Sequence, residues 1–213
     1  MSIHTLEDGV AVVVTATFTE PLVDAERHPI MLDGPLAWAH AVNHQGDLPE
    51  LTPEHAADMP LPLARWENED GVWGWCVSAA TFDVTRQAAV QLRRKPATAA
   101  MARFAPDRRH HLALGPHKAR DSTLPAMWVG SMTWHALTTD RDRLMALLED
   151  VTHVGKAHAV GHGRIARWCV EETTDTDAWR NRPLPDPAGA PQGVRAPYWH
   201  PTRRHPCSWN PAA

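Results

Sequence analysis

The part of the chain that most constrains the fold is an amphipathic helix joined to a strand by a glycine-rich loop. Apolar residues recur at positions i, i+3, i+4 and i+7, which predicts a helix with one buried face. They are Leu144, Leu147, Leu148 and Val151. The stretch 154–164, VGKAHAVGHGR, follows and contains three glycines. Since glycine adopts positive φ without steric cost, such a loop can bring backbone N–H groups close to a polyanion. An ordinary helix-to-strand connection is an equal alternative for this loop.

Alternating side chains and capping signals predict the other elements. In chain order they are a strand at Val10–Phe18, a helix from the N-cap Asp33 to about His44, a hairpin of Leu63–Trp66 and Val72–Ser78, a strand at Ala126–Leu137, a helix with Thr139 and Asp142 as a capping box, and a strand at Arg164–Glu171. Without one extra strand and an insertion at 83–122, this order is the βαββαβ pattern of a ferredoxin-like, RRM-like α+β domain. We therefore predict a domain at 1–172. We also predict a Pro-rich tail at 173–213, extended over the domain or over a partner.

The charge distribution singles out residues 86–120. This segment carries nine Lys or Arg and one acid, Asp107, although the whole chain has a formal net charge of −4. Such asymmetry indicates an anion-binding face on an otherwise acidic protein. We predict a helix at Thr85–Arg94 and a loop after it. The predicted RNA contacts here are Arg86, Arg93, Arg94, Lys95, Arg103, Arg108, Arg109, His110, His111, Lys118 and Arg120.

Cysteine usage and hydropathy exclude several classes of protein. The three cysteines form no CxxC pair, which disfavours a disulfide framework and a zinc ribbon. The chain has no signal-peptide pattern and no apolar run long enough to span a bilayer, so we expect a cytoplasmic location and no membrane partner. We expect no cofactor.

Histidines offer two alternative chemistries. His110 and His111, or His40 and His44, could act as a general acid and base in a metal-independent endoribonuclease. The trio of His153, His158 and His162 suggests a metal site. That site is disfavoured because the loop glycines disturb helical spacing and no cysteine or carboxylate lies beside the histidines.

Four motifs, in this order, resemble one known family. They are Leu32-Asp33-Gly34-Pro35-Leu36-Ala37-Trp38-Ala39, Leu61-Pro62-Leu63-Ala64, Val154-Gly155-Lys156 with Gly161-His162-Gly163, and Ala196-Pro197-Tyr198-Trp199. The chain resembles the RAMP superfamily of CRISPR-associated proteins, and more narrowly the small handle-capping backbone subunit of type IV CRISPR effector complexes. The resemblance extends from about Val10 to Trp199.

This resemblance implies a noncatalytic subunit that grips the 5′ handle of the CRISPR RNA and caps a filament of larger backbone subunits. Those subunits, and a large or small subunit of the same complex, are the implied protein partners. The basic insertion matches the place of a thumb-like element in that family. In the glycine-rich loop we predict contacts with phosphates or with the terminal nucleotide from Gly155, Lys156, Gly161, His162, Gly163 and Arg164. The processing endoribonuclease stays an alternative, as does an interaction protein whose acidic body binds only proteins.

Overall fold

A computed structural model describes residues 3–25, 29–44, 52–94, 102–104, 113 and 118–209. Within these ranges the chain is a mixed α/β protein with two α-helices and several small antiparallel sheets. The elements are β1 (Ile3–Thr5), β2 (Val10–Phe18), β3 (Leu22–Val23), α1 (Asp33–Asn43), β4 (Arg65–Asn68), β5 (Trp73–Trp75), β6 (Val84–Arg94), β7 (Arg120–Val129), β8 (Ser131–Thr138), α2 (Arg141–Asp150), β9 (Ile165–Glu172), β10 (Pro183–Gly193) and β11 (Arg204–Trp209).

The central sheet has β2 between β8 and β9, both antiparallel to it. Isolated bridges from Val77 to Ala136 and from Thr81 to Thr133 extend this sheet beyond β8. One face of β2 is fully apolar and packs in the same core as α1 and α2. The buried residues of this core include Val12, Val14, Ala16, Leu36, Ala39, Leu144, Leu147 and Leu148. The strand predicted at Val10–Phe18 and the buried stripe of the second helix are therefore confirmed.

A second core lies between the β1–β4–β5 sheet and residues 173–209, which we call the C-terminal segment. Trp66 on β4 packs there with Trp179, Leu184 and Val194 from the C-terminal part of the chain. Strands β10 and β11 form an antiparallel hairpin in that part, with a register shift between Pro185 and Ala190. The C-terminal segment is thus folded against the rest of the chain through residue 209. The domain boundary at residue 172 stays a prediction.

Two secondary-structure predictions in the central part of the chain are wrong. Thr85–Arg94 is not a helix but belongs to β6, because Ala88, Val90 and Leu92 alternate with exposed residues and the strand pairs with β7. The strand predicted at Ala126–Leu137 is two strands, separated at Gly130, which belong to different sheets. The alternation of side chains does not reveal this change of partner, although an isolated glycine such as Gly130 is a local signal of a break in a strand.

The predicted helix caps also need correction. The N-cap of α1 is Leu32 and not the predicted Asp33, which is the first residue of the helix. At α2 the N-cap is Asp140, whose side chain accepts a hydrogen bond of 3.0 Å from the Arg143 amide. Asp140 satisfies an amide that would otherwise lack a partner in the first turn, as the predicted capping box would have done.

The side chain of Asp33 is buried and forms hydrogen bonds with the C-terminal segment. Its buried carboxylate accepts hydrogen bonds from the Ala196 amide at 3.2 Å and from the Tyr198 hydroxyl. Arg182 lies alongside, with its Nη2 atom 3.3 Å from the same hydroxyl. Burial raises the pKa of Asp33, and the Arg182 guanidinium opposes that rise. Two of the motifs on which the resemblance rests, 163 residues apart at Asp33 and Ala196, are therefore in direct contact.

We expect Tyr198→Phe to lower the free energy of unfolding by about 1–3 kcal/mol, because it leaves a buried carboxylate oxygen without its donor. Chemical denaturation measures this change. Trp199→Phe is the matched control, since the neighbouring Trp199 is 67% exposed and its substitution removes no such bond. Equal losses from the two substitutions would contradict a stabilising role for the Tyr198 hydroxyl.

Candidate functional site

The short strand β3 connects the two segments that the sequence predicts to bind RNA. On one side, Leu22 and Val23 pair with Met127 and Ala126 of β7. On the other side, Val23 forms a bridge with Lys156 of the glycine-rich loop. We call residues 153–164 the glycine loop and the paired strands β6 and β7 the ribbon. The base of the ribbon is the end where Val84 pairs with Val129, and its far end is where Arg94 pairs with Arg120. The glycine loop and the base of the ribbon therefore lie on either side of one strand.

The glycine loop is closed at its neck and depends on glycine there. An antiparallel bridge joins His153 to Arg164, and the Val154 amide donates to the Gly163 carbonyl at 2.9 Å. Gly163 has φ of +68°, and a Cβ at this position would lie 1.9 Å from the Val154 carbonyl oxygen. No other residue fits that position without moving the backbone. Gly155 and Gly161 also have positive φ, at +90° and +93°.

The polar residues of the glycine loop have different surroundings. Lys156 forms an ion pair with Asp24, whose side chain is only 2% exposed. That contact offsets the charge of Lys156 and ties the loop to the end of β3. Arg164 is exposed, and its guanidinium has no hydrogen-bond or ion-pair partner among the described residues. His162 is half-buried, and its Nδ1 atom has no hydrogen-bond partner within the described parts of the chain.

The ribbon presents its cations on exposed strands. The Arg86 guanidinium lies 4.6 Å from the centre of the Trp128 ring, near the base of the ribbon. Arg94 and Arg120 are opposite each other at its far end. Like charges in that position destabilise a strand pair, so folding gains nothing from them. Trp128 and Arg120 are eight positions apart on β7, which sets Arg86 roughly 27 Å from the Arg94–Arg120 pair.

The remaining predicted contacts in the basic segment are placed only in part. Arg93 forms an exposed ion pair with Asp121 at 3.3 Å, which offsets part of its charge. Arg103 and Lys118 are exposed. Five of the predicted residues lie outside the described residues: Lys95, Arg108, Arg109, His110 and His111.

A pocket of about 250 Å³ lies between the start of α1 and the glycine loop. Gly34 and Trp38 line it from α1, and His153, Gly155 and His158 line it from the loop. Sequence reasoning did not include Trp38 among the site residues. A signal was available, because Trp38 lies about 200° around the helix from the buried Leu36.

The sequence profile of one family, CRISPR type IV associated protein Csf3, matches residues 11–209 of the chain. The chain belongs to the Csf3 family. A search among curated proteins found no match. The Csf3 match covers α1, the ribbon, the glycine loop and the C-terminal hairpin together. The resemblance to a type IV CRISPR-associated protein is thereby confirmed.

His40 and His44 stack on the last turns of α1 in this Csf3 family member, with ring centroids 4.1 Å apart. The Nδ1 atom of His44 also lies 2.8 Å from the carbonyl oxygen of His40. Burial lowers the pKa of His40, and the neighbouring His44 and Arg143 lower it further. A neutral imidazole can accept a proton, so the chemistry of a general base is available at this position.

Metal clusters and membrane-spanning helices are both absent from the described residues. No group of three or more His, Cys, Asp or Glu in them is placed to hold a metal ion. Neither α-helix in these parts of the chain combines the length and the apolar character that crossing a bilayer requires.

The Lys156–Asp24 pair gives a direct test of how the glycine loop is anchored. We expect Lys156→Met to lower the free energy of unfolding by about 1–3 kcal/mol, because it removes the ammonium group that neutralises the buried Asp24 carboxylate. In an Asp24→Asn background, the same substitution should lower the free energy of unfolding by much less, because residue 24 then carries no charge to neutralise. Asparagine also tolerates the positive φ of 53° at this position.

Denaturation of the wild type, the two single variants and the double variant measures the coupling. Lys118→Met, at an exposed lysine of the basic segment, is the control and should leave the unfolding free energy unchanged. An equal loss of unfolding free energy from Lys156→Met in the wild type and in the Asp24→Asn background would show that the ion pair does not anchor the loop.

Proposed function

We propose that this Csf3 family member is a noncatalytic RNA-binding subunit of a type IV CRISPR ribonucleoprotein. It grips the 5′ handle of the CRISPR RNA and caps one end of the filament of backbone subunits. The single observation that carries this proposal is the position of β3, which pairs with the ribbon on one side and bridges to the glycine loop on the other. A strand of RNA can follow one surface from the loop to the ribbon.

The chemistry of the two elements suits single-stranded RNA. Exposed arginines neutralise phosphates and release counter-ions, which makes such binding dependent on salt. Arginine planes and aromatic rings also stack on unpaired bases, and Arg86 and Trp128 supply both at the base of the ribbon. In the glycine loop, Arg164 is an exposed cation, and the backbone at Gly161 is open because a Cβ built there would meet no atom within 4 Å. In this proposal Lys156 acts mainly through its contact with Asp24.

The strand order supports a ferredoxin-like RAMP core. The central sheet runs β9, β2, β8 and then the bridged segment 77–81, with α1 and α2 packed in the core of one face. That is the neighbour order expected when the βαββαβ pattern folds as two βαβ halves that interlock. Along the chain, the ribbon lies between the segment 77–81 and β8. We propose that it takes the place of the thumb-like element of the RAMP family.

Charge reversal at the far end of the ribbon tests RNA binding. We expect Arg94→Glu or Arg120→Glu to weaken binding of a single-stranded RNA that carries the CRISPR repeat sequence. The slope of log K against log salt should become less negative by about 0.7 for each phosphate that the variant no longer neutralises. Fluorescence anisotropy at several salt concentrations measures both quantities.

Arg204→Glu makes the same change in net charge on β11, in the C-terminal hairpin, and serves as the matched control. If all three variants bound RNA equally weakly, net charge rather than the ribbon would account for binding. An unchanged affinity and slope in both ribbon variants would exclude the ribbon from the interface.

The alternative function is a metal-independent endoribonuclease that processes the CRISPR RNA precursor, and the stacked His40 and His44 are the observation that favours it. We expect purified protein to leave end-labelled repeat RNA intact in the presence of a chelator. Gel analysis over several hours is the measurement, with the His40→Ala and His44→Ala variants alongside. Cleavage at one position that either variant abolished would replace the noncatalytic proposal with the endoribonuclease.

A further inference from the structure

We propose that the pocket between α1 and the glycine loop holds one unpaired nucleobase of the bound RNA, stacked on Trp38. This inference rests on the proposed function, because it assumes that RNA follows the glycine loop. It adds a base-binding subsite at the glycine loop, apart from the stacking groups at the base of the ribbon.

Trp38 is the first observation behind this inference. Its side chain is 53% exposed although it lies on a helix whose other face is buried in the core. Large aromatic side chains contribute most to stability when they are buried, so this exposed ring adds little to the fold. Stacking of a base on an aromatic ring is tolerant of base identity, which suits a binding platform for single-stranded RNA.

The walls of the pocket supply the second observation. Above Gly34 the space is open, since a Cβ built there would meet no atom of the neighbouring structure within 4 Å. Opposite Trp38, the imidazoles of His153 and His158 bring ring nitrogens that can pair with the polar edge of a base. The His153 Nδ1 atom lies 2.9 Å from the Thr152 hydroxyl, which holds that ring in place.

The volume of the pocket limits what it can accept. At about 250 Å³ it is smaller than the pockets that enclose drug-sized ligands, which begin at about 300 Å³. A single base fits such a space, with its sugar and phosphate outside. The exposed Arg164 pairs with His153 across the neck of the loop and is placed to meet that phosphate.

A side chain from a neighbouring protein subunit is the competing occupant. The lining favours a base, because the pocket combines one aromatic wall with imidazole groups and with glycine backbone on both sides. Aromatic residues are also enriched at the centres of protein interfaces, so association with a neighbouring subunit is measured as a separate outcome of the test.

The test couples a protein variant to a change in the RNA. Binding of single-stranded repeat RNA is measured for the wild type, Trp38→Ala and Trp38→Phe, first with intact RNA and then with RNAs made abasic at one nucleotide at a time. We expect Trp38→Ala to weaken binding of intact RNA about 5- to 150-fold, and Trp38→Phe to retain most of the affinity. At one abasic position the wild type should show the same reduction, and Trp38→Ala should then cause no further weakening.

Trp209→Ala, at a tryptophan on β11 that is 49% exposed, is the matched control, and thermal unfolding of every variant accounts for stability. If Trp38→Ala weakened binding to the same extent at every abasic position, the stacked base would be overturned while RNA binding stayed intact. Unchanged RNA affinity with weakened association to a neighbouring subunit would assign Trp38 to a protein interface and overturn the inference. No RNA binding by the wild type would reject the proposed function and this inference together.

Discussion

The fold depends on a buried polar network centred on Asp33 and Arg182. Arg182 is fully buried and donates to the carbonyl oxygens of Trp75, Val77 and Val194. One guanidinium thus joins three parts of the chain: β5, the segment 77–81 beside β8, and the C-terminal segment. Asp33 supplies the charge that Arg182 faces, and it binds Ala196 and Tyr198 as well. Removing one member of such a network leaves a buried charge or polar atom without a partner, which is costly in a low-dielectric interior.

That network also sets the position of the candidate site. Asp33 lies in the first turn of α1, immediately before Gly34, and Trp38 follows on the same helix. The contact that attaches the C-terminal segment therefore holds the helix that forms one wall of the pocket. The Lys156–Asp24 pair does the same for the opposite wall, because it fastens the glycine loop to the end of β3. Both walls are fixed by ion pairs or hydrogen bonds between residues more than 100 positions apart.

The charges of the ribbon and of the glycine loop have different roles. At the far end of the ribbon, Arg94 and Arg120 are exposed and lie opposite each other, an arrangement that destabilises the strand pair. The loop cation Lys156 is engaged by Asp24, which leaves the exposed Arg164 and the backbone at Gly161 as the main features of the loop. In the function we propose, phosphate neutralisation falls to the ribbon and close approach to the RNA falls to the loop.

Local patterns were enough to predict the strand at Val10–Phe18, the buried stripe of α2 and the glycine loop, because each depends on the spacing of side chains within one segment. The family resemblance followed from short motifs in order along the chain. Pairing partners were beyond such patterns. The alternation of side chains in Ala126–Leu137 is the same whether the strand stays in one sheet or crosses to another at Gly130. The assignment of Ala88, Val90 and Leu92 to a strand depends on their pairing with β7, which the sequence does not show. In the same way, local sequence rules predict Asp33 as a helix N-cap. In the folded protein its carboxylate instead accepts hydrogen bonds from Ala196 and Tyr198, which are distant in sequence and come close only in the tertiary structure.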